Sequence, residues 1–206
     1  QRPLPGCRHG GLLMNAEWPA DLAAARRVQE QARAQVIAYD AHPPLRTVAG
    51  IDAGYVDGEA RAAVVVLAFP TLEPLDYAVA RRPVAFPYIP GYLSFREAPA
   101  VLDALAGLRV RPDLIICDGH GLAHPRRCGI AAHLGVLTDL PAIGCAKSLL
   151  VGAYEPPPNE RGAWTPLRYQ QEVVGVALRT RAGARPVYVS IGHRVTLETA
   201  IRVVMA

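Results

Sequence analysis

The hydrophobic pattern begins with a helix and continues with strands. "PADLAAARRVQEQARAQVIAYD" has helical periodicity, and Asp21 is the candidate N-cap. "TVAGIDAGYVDGEARAAVVVLAF" consists of two strand-like runs joined by Asp57-Gly58, a dipeptide that favours a tight hairpin. "LDYAVARRPVAF" continues as a third strand with partial alternation. Three consecutive strands joined by short turns predict an antiparallel meander.

Helical patterns alternate with short buried strands in the second half of the chain. "SFREAPAVLDALAGL" predicts a helix that begins with a Ser94-x-x-Glu97 capping box, and "PDLIICDG" predicts a buried strand. "RRCGIAAHLGVLT" predicts another helix and "LPAIGCAKS" another buried strand. After the proline-rich loop "YEPPPNERGAW" we expect two strands, "EVVGVALRT" and "RPVYVSIG", and a closing helix, "TLETAIRVVMA".

The order of these elements predicts the architecture. Helices that alternate with buried strands extend a sheet in parallel and cover its faces. An antiparallel three-strand meander followed by such parallel strands, in one mixed sheet flanked by helices, is the α/β arrangement of the ribonuclease H-like fold. The length of 206 residues allows one substantial core. We therefore expect residues 1–206 to form a single domain, with residues 1–17 as a flexible N-terminal arm.

Composition and charge narrow the classes of function. The net charge of +4 is compatible with a polyanionic partner but does not require one. The longest apolar runs, "AAVVVLAF" and "LIIC", are far shorter than the roughly 20 residues of a membrane helix, so we expect no membrane segment. The four cysteines lack a metal-binding spacing, and Cys117 and Cys145 lie in apolar runs, which favours a reducing, cytoplasmic location. The lack of a long apolar surface helix favours a monomer.

Three acidic residues lie where an α/β sheet forms its sites. Asp52 interrupts the first strand, Glu97 lies in the first turn of a helix, and Asp118 ends "LIICDG". A few carboxylates together with substrate phosphates suffice to bind Mg²⁺, and two such ions can promote phosphodiester hydrolysis. Each residue also has a structural explanation. Asp118 fits a turn before glycine, Glu97 fits the capping box, and Asp52 fits a hydrogen-bonded buried aspartate.

Basic residues near the same strand ends are candidate phosphate contacts. Of the 22 basic residues only Lys147 is a lysine, and it follows a buried strand, where a compact ammonium could hold a scissile phosphate. His124 and His193 follow other strand ends, and Arg126 is a natural phosphate contact. All four also fit structural or solvent-facing positions.

Five blocks in this order resemble the signature blocks of the endonuclease V family: "GIDAGY", "PYIPGYLSFRE", "DGHGLAHPRRCGIAAHLG", "IGCAKSLLVG" and "SIGHRV". The resemblance begins near Val48 and reaches the C-terminus. It implies a ribonuclease H-like fold and hydrolysis that depends on Mg²⁺, for which Mn²⁺ can substitute. The implied substrate is DNA containing deoxyinosine, which the family cuts at the second phosphodiester 3′ to the lesion, leaving 3′-hydroxyl and 5′-phosphate ends. Inosine-containing RNA is a further candidate substrate.

The resemblance also implies roles for individual residues. The implied catalytic residues are Asp52, Glu97, Asp118, Lys147, His124 and His193, of which the three acids bind the metal. "PYIP" would be a wedge with Tyr88 at its tip, since prolines fix the backbone and an aromatic ring can stack where a base has left. The residues implied in substrate binding are Tyr88, Ile89, Pro90, Gly91, Arg96, Gly119, Gly121, Arg126, Gly129, Ile130 and Gly144. Their glycines would let main-chain groups approach the base.

Two other functions fit parts of the sequence. An actin-like ATPase or kinase would use "GIDAGY" as a phosphate-binding turn, but it needs two lobes, for which 206 residues leave no room. A non-catalytic module that binds distorted nucleic acid would share the wedge and the basic charge but would not need the acids. Dependence on metal and on the three acids distinguishes this module from the enzyme.

Overall fold

A computed structural model describes residues 18–206, so the arm expected at residues 1–17 lies outside the described residues. Eight strands form one mixed sheet in the order β3-β2-β1-β4-β5-β8-β7-β6, with helices on its faces, which confirms the predicted α/β class. The elements are α1 (Leu22–Gln35), β1 (Thr47–Val56), β2 (Glu59–Ala68), β3 (Pro74–Pro83), α2 (Ser94–Ala106), β4 (Leu114–Cys117), α3 (Ile130–Thr138), β5 (Ala142–Ala146), β6 (Trp164–Tyr169), β7 (Glu172–Leu178), β8 (Val187–His193) and α4 (Leu197–Met205).

The first three strands form the predicted antiparallel meander. Asp57 and Gly58 connect β1 to β2 with φ angles of 53° and 77°, the left-handed values that the favoured two-residue hairpin turn requires. β1 pairs in parallel with β4, and β4 pairs in parallel with β5. The carboxyl ends of these three strands therefore meet at one edge of the sheet, here called the carboxyl edge.

The far side of the sheet contains one strand that was not predicted. β6 pairs with β7, and β7 pairs with β8, in both cases antiparallel. β6 carries Pro166, which cannot donate a ladder hydrogen bond, and β6 is the last strand of the sheet, where that loss costs least. Because of this proline, the sequence of β6 looks like a continuation of the preceding proline-rich loop, so the strand was not predicted.

Helices cover both faces of the sheet. On one face, Ala98, Val101 and Ala104 of α2 pack with the buried residues of β1 and β2 in one core cluster. On the other face, Ala200 and Val203 of α4 pack with buried residues of β5, β7 and β8. Within residues 18–206, none of the helices has the length and apolarity needed to cross a membrane.

The predicted N-cap is confirmed for α1 and is wrong for α2. Asp21 caps α1 as predicted, because its Oδ1 accepts a hydrogen bond from the backbone N–H of Ala24 at 2.7 Å. The capping box predicted for α2 is wrong, since the N-cap is Leu93 and no side chain caps the helix. Ser94 Oγ instead lies 3.1 Å from His133 Nδ1, and Glu97 accepts a hydrogen bond from β1. Glu97 is therefore not used in capping.

Candidate active site

Two of the predicted acids lie side by side at the carboxyl edge. Ile51 pairs with Cys117 in the parallel register of β1 and β4, and the backbone N–H of Asp118 donates to the carbonyl of Ile51 at 3.1 Å. Asp52 and Asp118 therefore start from adjacent positions on neighbouring strands. Both line an open groove of about 480 Å³ on the sheet surface.

Glu97 approaches these two acids from α2. Its side chain is buried, and its Oε1 accepts a hydrogen bond from the Tyr55 hydroxyl at 3.0 Å. Burial raises the pKa of Glu97 to about 7, and the negative charges of Asp52 and Asp118 add to this effect. The hydrogen bond from Tyr55 and the charge of Arg96 oppose it. Three carboxylates that repel one another in this way form an environment that favours a bound cation.

The donor set of this site fits a hard divalent cation. Within residues 18–206, no three or more His, Cys, Asp or Glu side chains are arranged so that they could hold a metal ion by themselves. Mg²⁺ does not require such an arrangement, because it usually binds one or two carboxylates and completes its shell with water and substrate phosphates. Asp52 and Asp118 would supply these carboxylates, with Glu97 beside them.

Lys147 lies at the same edge, directly after β5. Its Nζ donates to Asp118 Oδ2 at 2.5 Å, and this hydrogen bond raises the pKa of Lys147, so the ammonium stays charged. The side chain is 79% exposed and can reach a group in the groove. The structure therefore brings Lys147 together with the predicted acids.

A cavity of about 410 Å³ opens beside the acids, within the range that small ligands occupy. The predicted wedge forms one wall, and Asp118 and Lys147 lie at its border. The predicted residues that line it are Tyr88, Ile89, Pro90, Gly91, Asp118, Gly119, His124, Gly129, Ile130 and Lys147. A single base held in this cavity would lie next to the acidic groups at the carboxyl edge.

The wedge combines a fixed base with an exposed tip. Phe86 and Phe95 are buried on either side of it, with ring centroids 5.5 Å apart, whereas Tyr88 is 69% exposed. The Arg96 guanidinium carbon lies 5.8 Å from the centroid of the Tyr88 ring and 4.6 Å from that of Tyr55. Arg96 also donates to the Phe86 carbonyl at 2.9 Å, so it contacts both the wedge and the tyrosine that binds Glu97.

His124 holds the wedge. Its Nε2 lies 3.0 Å from the Gly91 carbonyl oxygen, and its Nδ1 accepts from the backbone N–H of Arg126 at 3.2 Å. This arrangement requires a neutral ring with the proton on Nε2. Burial lowers the pKa of His124 to about 4, and nearby positive charges add to this effect. The structure therefore places His124 against the "PYIP" loop, and its catalytic role stays a prediction.

Two further side chains converge on the Gly91 carbonyl. Gln29 Nε2 donates to it at 2.9 Å, and a terminal nitrogen of Arg126 donates at 2.7 Å. The Arg126 guanidinium also donates to Gln29 Oε1 and stacks over the Tyr92 ring at 4.1 Å. Arg126 was predicted as a substrate contact. In the structure its Nε and one terminal nitrogen bind Gln29 and Gly91, and contact with the substrate stays a prediction.

The predicted pocket glycines divide into two groups. Gly119 and Gly129 line the cavity, but Gly121 and Gly144 do not. A Cβ atom at Gly121 would overlap the carbonyl of Ile191, and a Cβ atom at Gly144 would overlap the backbone of residues 119–121. Gly121 and Gly144 therefore do not line this cavity, and their role in substrate binding stays a prediction. They allow the loop after β4 to pack against β5 and β8.

His193 is not part of this site. It pairs with Ala142 at the beginning of β5, whereas Lys147 follows the end of that strand. Its ring contacts the backbone N–H of Ile37 and the carboxylate of Asp139. The expected position near the catalytic centre is wrong, because β8 runs antiparallel to β5 and ends at the opposite edge of the sheet.

Two residues that position the site were not predicted. Tyr55 lies three positions after Asp52 and therefore on the other face of β1, where it reaches Glu97. Gln29 is 1% exposed between Ala25 and Ala32 on the buried face of α1. A polar residue in the apolar stripe of a helix is the signal that could have identified Gln29.

Comparisons with known proteins identify the family that this chain resembles. A family model described as Endonuclease V matches residues 11–206. Endonuclease V of Roseiflexus sp. (strain RS-1) is 76% identical over 189 residues, which cover 92% of this chain and 85% of that protein. Endonuclease V of Nostoc sp. (strain PCC 7120 / SAG 25.82 / UTEX 2576) is 53% identical over 191 residues, with 91% and 86% covered.

Solved structures show the same similarity. The crystal structure of endonuclease V from Streptomyces avermitilis superposes with a TM-score of 0.87 at 48% identity and covers 91% of this chain and 84% of that one. Ciona intestinalis endonuclease V, in complex with DNA containing an inosine, gives a TM-score of 0.76 at 27% identity, with 89% and 87% covered. The chain belongs to the endonuclease V family, whose members hydrolyse phosphodiester bonds.

Proposed function

We propose that this protein is a metal-dependent DNA repair endonuclease that recognises deoxyinosine. It hydrolyses the second phosphodiester bond 3′ to the lesion and leaves 3′-hydroxyl and 5′-phosphate ends. One observation carries the proposal. The acids around Asp118 border a cavity at the carboxyl edge, and the predicted wedge forms one wall of that cavity. The related Ciona intestinalis protein was solved in complex with DNA containing an inosine, which supports such DNA as the ligand of this protein.

Asp52 and Asp118 would hold the metal ion, Mg²⁺ or in its place Mn²⁺, with Glu97 beside them. When bound, the ion would supply the activation of a water and the stabilisation of the leaving oxygen. Tyr55 orients the Glu97 carboxyl through its hydrogen bond, and burial keeps much of the solvent away from that carboxyl. Lys147 is charged and exposed beside Asp118, where it would hold a phosphate oxygen.

The cavity would hold hypoxanthine turned out of the helix. Extruding a base costs a few kcal/mol, and less where the base is mispaired, as hypoxanthine is opposite thymine. Tyr88 would stack in the space that the base leaves, and its loop is fixed by His124, Gln29 and Arg126 before any substrate binds. A wedge ordered in advance loses little entropy on binding.

A cleavage panel tests this proposal. Single inosines are placed in DNA and in RNA, as single and double strands, and are incubated with Mg²⁺, Mn²⁺ or a chelator. We expect a nick in inosine-containing DNA at the second phosphodiester 3′ to the lesion, with either metal and not with the chelator. Binding without cleavage under every condition would instead identify a non-catalytic nucleic-acid module. Cleavage of the RNA strands would extend the substrate to inosine in RNA.

Replacing Tyr88 by alanine should weaken engagement of the lesion without changing metal binding. Stacking of an aromatic ring on a base contributes roughly 1–3 kcal/mol, so the nicking rate at low substrate concentration should fall by roughly 5- to 150-fold. The Mn²⁺ affinity, measured by calorimetry, should stay at the wild-type value. Tyr39→Ala is the matched control, because Tyr39 is another exposed tyrosine, at 62%. Unchanged discrimination between inosine and adenine in Tyr88→Ala would refute the wedge role.

The monomeric state and the cytoplasmic location stay predictions. Size-exclusion chromatography with light scattering tests the first, with and without DNA. A fluorescent fusion of the full chain tests the second.

A further inference from the structure

One surface of the meander next to Asp52 carries charge and aromatic groups that the site described so far does not use. Alternate residues of β2, including Val64 and Val66, pack beneath α2. The intervening residues and their cross-strand neighbours face away from α2. We call this surface the open face, and its residues are Gly50, Asp52, Gly54, Arg61, Ala63, Val65, Tyr77, Val79 and Arg81.

The strand register arranges the open face in rows. Gly54, Arg61 and Arg81 form one row across β1, β2 and β3. Asp52 lies in the next row, opposite Ala63, and that row continues to Val79 in β3. From the spacing of strands and of residues along them, the backbone of Arg61 lies roughly 8 Å from that of Asp52. The arginines are therefore neighbours of the acidic cluster.

The two arginines of this row have no anionic partner among the described residues. Arg61 and Arg81 are directly opposite each other, and like charges in that relation destabilise a sheet. Neither belongs to the ion pairs of residues 18–206, whereas the adjacent Arg82 binds Asp103 on the α2 side. The Nε of Arg61 is buried and makes no hydrogen bond. The chemistry that complements this row is an anion.

On the open face, the two positions of β1 that flank Asp52 carry no side chains. Gly50 and Gly54 lie two positions before and after Asp52, on the same face of β1. A Cβ atom at either glycine would meet nothing within 4 Å. The glycines are therefore not required for packing, and they leave the backbone beside Asp52 open to a polymer that crosses the strand.

An exposed aromatic ring lies on the same face. Tyr77 is 74% exposed, and Val79 beside it is 62% exposed. Tyr77 pairs with Val65, two rows from the arginine row, so the ring and the arginines lie on opposite sides of the row that contains Asp52. A face with cations on one side and an exposed ring on the other can bind single-stranded nucleic acid, in which phosphates contact cations and bases or sugars contact rings. Together with the bare glycines, this combination favours a nucleic-acid strand as the occupant of the open face.

We propose that the open face binds the backbone of the strand being cut, with Arg61 and Arg81 holding a phosphate close to the scissile one along that strand. The strand leaves the acidic cluster across Gly54 and reaches the arginine row. This inference rests on the proposed nuclease function and adds a contact site outside the wedge and the base cavity. The site contributes affinity and orientation that are independent of the lesion.

Salt-dependent binding tests the arginine pair. The variants are Arg61→Gln, Arg81→Gln and the double variant, and fluorescence anisotropy with inosine-containing DNA in a chelator gives Kd at several salt concentrations. Each lost phosphate contact should reduce the slope of log K against log salt by about 0.7–0.9, and the double variant should bind roughly tenfold more weakly near 0.1 M salt. KM for nicking with Mg²⁺ should rise while kcat changes little. Arg111→Gln is the control, an exposed arginine before β4 and thus at the opposite edge.

A second variant tests the path by adding bulk. Gly54→Thr places a strand-forming side chain in open space, so the thermal stability should equal that of the wild type while KM rises several-fold. Salt slopes and KM values equal to those of Arg111→Gln would overturn the proposal. A change of oligomeric state in the double variant would also overturn it, in favour of a protein interface. Failure of the wild type to nick inosine DNA would instead refute the nuclease function, since the binding slopes do not depend on cleavage.

Discussion

Replacing Asp118 by asparagine is expected to reduce the rate of strand cleavage by roughly 10³-fold in an otherwise folded protein. Asp118 directly follows β4 beside Asp52, and it accepts a hydrogen bond from Lys147 Nζ at 2.5 Å. The carboxamide keeps the size of the side chain but removes the negative charge that a divalent cation and the lysine both need. Neither neighbouring acid can replace that charge, because Asp52 lies on another strand and Glu97 is buried with a pKa raised to about 7 by its burial.

The measurement is single-turnover nicking of an inosine-containing duplex with Mg²⁺, together with calorimetric titration of Mn²⁺. Asp103→Asn is the matched control, since it makes the same chemical change on the exposed surface of α2, where Asp103 pairs with Arg82. It should cut at the wild-type rate, because an exposed ion pair contributes little. If Asp118→Asn cut as fast as Asp103→Asn, the acids at the carboxyl edge would not be the catalytic centre.

The position of the acidic cluster could be predicted because it follows from strand direction alone. Asp118 comes directly after an apolar run, and Asp52 interrupts another, so both lie near carboxyl ends if the two strands are parallel. The two antiparallel hairpins return β3 to the direction of β1, and the helix after β3 then allows β4 to run parallel to β1. Once Ile51 pairs with Cys117, the next residue of each chain segment is an aspartate, so the two carboxylates are brought together by the backbone register alone.

The same reasoning failed for His193 because the direction of its strand was not encoded locally. "RPVYVSIG" indicates a strand, but its apolar pattern is the same whether the strand runs parallel or antiparallel to β5. The antiparallel pairing comes from the β6–β7–β8 connections, and β6 was itself concealed by Pro166. A histidine at a strand end lies at the active edge only if that strand has the right direction.

The capping box failed for a different reason, which concerns tertiary partners. Ser94 and Glu97 have the spacing of a local motif, but Ser94 contacts His133 on α3 and Glu97 contacts Tyr55 on β1. These partners lie about forty residues away in sequence, at separations of 39 and 42, and supply hydrogen bonds in a buried environment. A buried environment strengthens such hydrogen bonds. The first backbone N–H groups of α2 are already bonded to the carbonyls of Tyr92 and Leu93, so the helix start does not need a side-chain cap.

The first turn of α2 connects the predicted wedge to the acids through two consecutive residues. Arg96 lies over the rings of Tyr88 and Tyr55, while Glu97 accepts the hydroxyl hydrogen of Tyr55. A displacement of the wedge tip therefore acts on the same tyrosine that orients the Glu97 carboxyl. The quoted block "PYIPGYLSFRE" contains both ends of this connection, but the tyrosine between them belongs to β1, which the block alone could not show.

Replacing Gly144 by alanine is the second change with a large expected effect. A Cβ atom there would lie 2.7 Å from the carbonyl oxygen of Gly119 and from the carbonyl carbon of His120. These are backbone atoms of the loop that follows Asp118, so they cannot rotate away as a side chain can. Overpacking of this kind costs roughly 1–3 kcal/mol, which corresponds to a decrease in Tm of about 2–12 °C in a protein of this size. Because the loop also lines the base cavity, nicking should fall by roughly 100-fold or more.

Gly107→Ala is the control for this substitution. A Cβ atom at Gly107 would make ordinary contacts of 3.4 Å with the carbonyl oxygen of Ala104 and 3.5 Å with the Ala78 side chain. Its Tm and nicking rate should stay close to those of the wild type, as thermal unfolding and single-turnover assays would show. A loss of nicking in Gly144→Ala with an unchanged Tm would indicate that the loop moved into a second stable position. Wild-type stability and wild-type nicking together would show that the loop after β4 does not depend on close approach to β5.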